Sequence, residues 1–179
     1  MSATRFTIHE GQPGDAQAIS ELGVLVWQHA YRGILPADVL AGLEPRARQN
    51  RIIDSFATGS VWHVARDLQH NIVGFTQGRP ATKHADWEMN AIYVHPDWQR
   101  FGIGRVLQLA LVESIERRGG CSLAVYVLAK NYPAKRFYIK HGARLVGADA
   151  LEVREISYLL DVFLYDSLSR LKRSLQAAG

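Results

Sequence analysis

The chain has 179 residues, 47% apolar and 21% charged, which suits one globular domain with a substantial core. Its net charge of +4 comes without any basic stripe interleaved with aromatics, so nucleic-acid binding is not expected. The single cysteine, Cys121, excludes an internal disulfide, and no apolar run reaches the roughly eighteen residues of a membrane span.

Arg5 to Glu10 alternates enough for a first strand, and Gly11 to Gly14 reads as a turn. Asp15 is placed to cap a helix whose apolar residues Ile19, Leu22, Val26 and Trp27 recur at helical spacing. That helix should run to Tyr31. After Pro36, Ala37 to Leu43 reads as a short helix, and Pro45 to Ala57 as a third with proline in its first turn. The period then changes to that of strands. Val61 to Arg66 and Ile72 to Arg79 flank a turn at Gln69-His70-Asn71 as a hairpin, and Pro80 to Ala85 reads as a loop.

Trp87 to Val94 is a further strand. It delivers the chain to Gln99-Arg100-Phe101-Gly102-Ile103-Gly104, after which an amphipathic helix runs to Arg117. A strand, a short glycine-bearing loop and a helix start together make an anion pocket. The first N–H groups of a helix have no partner inside it, its dipole adds partial positive charge, and glycine lets the main chain approach a phosphate. Arg100 and Arg105 add basic side chains there. The spacing is not that of a dinucleotide fingerprint, because the third glycine position is Leu107. No G-K-[ST] tripeptide of a Walker loop occurs either.

Gly119-Gly120 should stop the helix. Ser122 to Leu128 is a strong apolar strand, and Cys121 at its start reads as core. Tyr132 to Lys140 is a short helix before Gly142. Ala143 to Ala148 and Glu155 to Phe163 read as a final hairpin. In the tail from 164 to 179, Leu164, Leu168, Leu171 and Leu175 predict a terminal helix, packed on its own domain or on a partner subunit. The order implies an α/β chain with a mixed sheet and helices on both faces.

The Q-R-x-G-x-G loop, preceded by Tyr93-Val94-His95-Pro96, resembles motif A of the GNAT superfamily of N-acetyltransferases, which cradles the pyrophosphate of acetyl-CoA. Asn131, Ala134, Phe137, Tyr138 and Gly142 resemble its motif B, beside the coenzyme chain. Ala143 departs from the aromatic that commonly follows that glycine. The resemblance covers residues 5–161 and implies a single domain over 1–179. Its sheet is mostly antiparallel, with a parallel strand pair that splays where the cofactor enters.

The resemblance also implies acetyl transfer from acetyl-CoA to an amine by direct attack in a ternary complex, the amine being a small primary amine or a peptide or protein amine. It assigns cofactor binding to Ile92, Tyr93, Val94, Gln99, Arg100, Phe101, Gly102, Ile103, Gly104, Arg105, Asn131, Ala134, Lys135 and Tyr138. Tyr138 is the candidate proton donor to the departing thiolate, a phenol of pKa about 10 being near a thiol of about 8.5; otherwise it covers the cofactor sulfur. Glu88 is the candidate base, or else a strand-end carboxylate paired with a basic neighbour. Asn90, Trp27 and Tyr31 are candidate acceptor contacts, and the aromatics are equally readable as core or rim. No metal-ligand spacing occurs among the histidines, so no catalytic metal is expected. A homodimer is compatible with the family, as is a cytoplasmic location. The rival reading is an acyl-CoA-binding module of the same fold without catalysis.

Overall fold

A computed structural model of the chain describes residues 5–81 and 83–178. Its strands are β1 (Phe6–Glu10), β2 (Val61–Asp67), β3 (Ile72–Pro80), β4 (Trp87–Val94), β5 (Leu123–Leu128), β6 (Arg144–Val153) and β7 (Ile156–Tyr165). Its helices are α1 (Ala16–Ala30), α2 (Ala37–Ala41), α3 (Pro45–Ala57), α4 (Ile103–Arg117), α5 (Tyr132–Lys140) and α6 (Leu168–Ala177). The strands form one sheet in the order β1-β2-β3-β4-β5-β7-β6. Every neighbouring pair is antiparallel except β4 and β5. The expected mixed, mostly antiparallel sheet is therefore the one found. Thr82 of the expected 80–85 loop and Gly179 of the expected tail lie outside the described residues.

Both faces of the sheet are covered. Leu111, Val112 and Ile115 of α4, Tyr138 of α5 and Leu168, Leu171 and Leu175 of α6 are buried with Met89, Val125 and Phe163 on one face. Ile19, Leu22 and Val26 of α1 pack against Trp62, Val64 and Phe75 on the other. The leucine stripe of α6 is thus buried within the chain. Among the described residues, no helix is long and apolar enough to cross a membrane.

β4 changes face midway. Gln77 pairs with Ala91 and Gly78 with Met89, so Asn90 is an extra residue, a β-bulge. Before it, Trp87 and Met89 face α4; after it, Ile92 and Val94 take that side while Ala91 and Tyr93 turn toward α1. Asn90 donates to the Gln77 side chain at 2.7 Å. Gly78 opposite has no room for a side chain, since a Cβ there would stand 2.7 Å from Leu111.

Three expectations are met only in part or fail, for local reasons. Asp15 occupies the N-cap position of α1, as expected, but its side chain makes no capping bond there; it ends a short 3-10 turn, and its carboxylate accepts from the Gln12 N–H and from Arg66. Cys121 is exposed, because Gly120 packs on Ile115 and Trp87 and the strand begins only at Leu123. β6 continues beyond Ala148 to Val153, and the hairpin turns at Arg154 and Glu155, both at positive φ. Such turns usually carry Asn or Gly, so the signal was missing.

His63 on β2 is 3% exposed. One ring nitrogen lies 3.1 Å from the Ser114 hydroxyl, and Nδ1 has no hydrogen-bond partner among the described residues. Burial, with Arg117 and Arg118 nearby, lowers its pKa to about 4, against an opposing pull from Glu10. Between pH 6.5 and that value the unfolded chain binds more protons here than the folded one, so stability falls as pH falls. The full difference is ~3 kcal/mol. Denaturant titrations at pH 7, 5.5 and 4.5 should show this loss, and His63→Gln should flatten the slope across the window.

Candidate active site

The parallel pair β4–β5 is joined only at Trp87 with Leu123 and Glu88 with Ala124. Beyond that the strands part, and among the described residues the β5-facing edge of 89–94 has no strand partner. A cleft of about 520 Å³ fills the gap. It runs from Met89 and Val125 at the fork to the glycine loop and the start of α5.

The mouth is built as an anion cradle. Arg100 and Gly102 both take positive φ, at 66° and 81°, and Gly102 is the residue before α4. The first helical bond after it runs from the Val106 N–H to the Gly102 carbonyl, so the N–H groups of Ile103, Gly104 and Arg105 precede the ladder. A Cβ on Gly104 would meet Phe137 and Val94 only at 3.8–3.9 Å. The fold therefore does not need a glycine there for room; the bare backbone serves the cleft. A polyphosphate fits this combination of free donors and helix dipole. The unpaired β4 edge equally fits an extended chain bearing amides, added like a strand.

Most of the residues expected to hold a cofactor line this cleft: Ile92, Tyr93, Val94, Gln99, Arg100, Gly102, Ile103, Gly104, Arg105, Asn131, Ala134 and Tyr138. Phe101 and Lys135 do not. The Phe101 ring turns outward, 46% exposed, beneath the Arg5 guanidinium and against Trp98. The Lys135 ammonium is tied to Asp161 at 2.5 Å and to the Ala129 carbonyl at 3.0 Å. Arg105 lines the cleft, but its guanidinium donates to the Leu175 carbonyl at 2.7 Å and so braces α6. Asn131 caps α5, its side-chain oxygen accepting from the Ala134 N–H.

Phe137, read from the sequence as part of the motif B block, also lines the cleft, and sequence reasoning missed Trp98, Lys140, His141 and Ala178, which do so too. Phe137 and His141 stand one helical turn apart and their rings meet at 5.2 Å, so the period of α5 was the available signal for His141. Nothing in the sequence marks Ala178.

Behind β4, two more cavities meet the cleft at Asn90 and Tyr93. Trp27, Tyr31 and Tyr93 form one cluster there. The Trp27 indole donates to the Tyr93 hydroxyl at 2.9 Å, and the Tyr31 and Tyr93 hydroxyls lie 3.4 Å apart. Burial, then Tyr93, pushes the Tyr31 phenol well above its ordinary pKa. Glu88 lines one of these cavities, not the cleft, and shares its face of β4 with Asn90. Arg79 donates to both Glu88 oxygens, at 2.9 and 3.1 Å. Tyr138 is buried at the inner end of α5. Burial first, then Tyr165 and Tyr93, raises its pKa well above 10. The expected match between an ordinary phenol and a thiol is thus absent, and the group stays protonated through the neutral range.

This arrangement can hold an extended, phosphorylated thioester and bring a second reactant to it through the sheet. Residues 57–142 match the family described as an acetyltransferase (GNAT) domain. An uncharacterised N-acetyltransferase, YuaI of Bacillus subtilis, is 29% identical over 173 residues, covering 94% of this chain and 98% of that protein. Aminoglycoside N(6')-acetyltransferase type 1 of Stenotrophomonas maltophilia is 31% identical over 122 residues, covering 68% of this chain and 74% of its own length. Among solved structures, the PaiA N-acetyltransferase of Thermoplasma acidophilum in complex with coenzyme A superposes with a TM-score of 0.71 at 15% identity, over 88% of this chain and 98% of that one. The forked sheet, the glycine cradle and these likenesses converge on one conclusion: the chain belongs to the GNAT superfamily and is an acetyl-CoA-dependent N-acetyltransferase, acting on an amine.

Proposed function

We propose that the chain acts as a single transferase domain in the cytoplasm, acetylating a small primary amine by direct attack in a ternary complex. The observation that carries this is the meeting of the cofactor cleft with the cavities behind β4 at Asn90 and Tyr93. A reactant on each side reaches the same point, so no acyl-enzyme is needed. The named aminoglycoside relative supports a small acceptor, and the lone, unpaired Cys121 suits a reducing compartment. A homodimer would use a face other than the buried stripe of α6; Leu145, Ile156 and Leu159 are exposed on the β6–β7 hairpin.

Acetyl-CoA supplies the activated carbonyl. The N–H groups of Ile103, Gly104 and Arg105 hold its phosphates, and the free edge of Ile92, Tyr93 and Val94 aligns the arm that follows. Glu88, oriented by Arg79, takes the amine proton through water. Two of its lone-pair positions remain beyond the two that Arg79 occupies. Tyr138 donates a hydrogen bond, and finally a proton, to the sulfur. Its raised pKa makes full transfer harder than for a free phenol, so its larger contribution is holding the developing negative charge in a site of low polarity. Asn90 and Tyr31 position the acceptor, with Trp27 fixing Tyr93 behind them.

Gly104→Ala separates binding from folding. Helix propensity favours alanine by up to ~1 kcal/mol, so thermal stability should hold or rise while acetyl-CoA binding, read by calorimetry, weakens at least about tenfold. Tyr138→Phe should keep cofactor affinity and lower kcat by roughly ten- to ten-thousandfold; unchanged turnover removes the assignment. Glu88→Gln should cost kcat about a hundredfold and abolish the acidic limb of its pH profile. A retained limb would assign deprotonation to another group.

A further inference from the structure

The largest cavity behind β4, of about 910 Å³, lies between α1, α3 and the sheet. Its charge balance is unusual for the acceptor side of an enzyme with an aminoglycoside-modifying relative. Arg79 is neutralised by Glu88, and Lys83 in the adjoining cavity by Asp149. Arg48 and Arg51 have no such partner: among the described residues, no carboxylate pairs with either guanidinium. Glu44 also borders the cavity and is exposed, paired with neither.

Arg48 is half-buried, and its guanidinium is held over the Trp27 ring, 4.8 Å from the centroid. Trp27 is itself fixed by its bond to Tyr93, which stands at the junction with the cofactor cleft. Burial and Arg51 lower the Arg48 pKa against the pull of Tyr93 and Tyr31. A guanidinium taken partly out of water without a counter-ion carries a desolvation cost that a bound anion would offset. Arg48 lines the cavity while held over Trp27, and a guanidinium's planar fork can bind an oxyanion with two parallel bonds.

We propose that the acceptor is a primary amine carrying an oxyanion, a carboxylate or phosphonate, which Arg48 binds while the amine reaches the thioester beside Asn90. This rests on the transfer reading above and specifies its substrate. The amine nitrogen forms a bond to the acetyl carbon as the C–S bond breaks, and one amine proton ends on sulfur. The products are the N-acetylated acid and free CoA. A polycationic amine, by contrast, would meet two unneutralised arginines.

The test uses glycine, 3-aminopropanoate and 5-aminopentanoate, each beside its carboxamide, with 3-aminopropylphosphonate, spermidine and an aminoglycoside for comparison. Free-thiol release is followed with acetyl-CoA, and binding to the CoA-loaded protein is followed by calorimetry. At least one acid should exceed its amide about tenfold or more in kcat/KM. Arg48→Met should erase that preference by raising KM for the acid, with KM for acetyl-CoA unchanged. Arg48→Lys, which keeps charge and stem, should restore part of it. The carboxylate and phosphonate arms identify the anion.

Equal use of acid and amide, preference for spermidine or the aminoglycoside, or equal losses on acid and amide in Arg48→Met would overturn the proposal. So would failure of every anionic amine to bind. Binding that depends on Arg48 but yields no thiol would support the anion site and sink the transfer reading alone.

Discussion

The separation of β4 from β5 is the constraint on which the rest of the structure depends. Two residue pairs hold the strands together, and then each goes its own way. An open edge inside a sheet leaves backbone donors and acceptors without partners, which is costly unless something else supplies them. The bulge at Asn90 lies just past the fork and changes which residues face which layer. The same strand thereby serves α4 on one side and α1 and the cavities behind β4 on the other. A regular strand would keep one parity and could not bring Asn90 and Ala91 in succession to the α1 side.

Rigid packing keeps that opening from collapsing. Leu111 of α4 fills the space that the missing side chain of Gly78 leaves, and Gly120 lets Trp87 and Ile115 close beneath the fork. Above it, the tyrosine–tryptophan cluster ties α1 to β4. The cleft is therefore bounded by elements packed and bonded to one another, and a preformed site is the condition under which binding energy goes into orientation.

Local patterns carried much of this, and long-range pairing carried the remainder. The glycine loop, the Asn131 to Gly142 block and the bounds of α3, β4 and α5 were legible because periodicity and turn chemistry are local. The Asn90 bulge was not, since it exists only in the register between two strands. Phe101 and Lys135 sit inside the right motifs but point away, one onto Trp98 and Arg5, the other onto Asp161. Motif membership places a backbone; the partners of a side chain decide its direction. Arg48 carried no signal, because only the folded chain shows it held over Trp27 with no carboxylate partner among the described residues.

The mouth of the cleft is bordered from two sides by residues far apart in the sequence. Arg5, just ahead of β1, stands over the Phe101 ring of the glycine loop, and Ala178, just past α6, forms part of the cleft wall. Arg105 of α4 grips the Leu175 carbonyl and so holds α6 in that place. Loosening α6 would therefore change the shape of the entrance from outside the sheet.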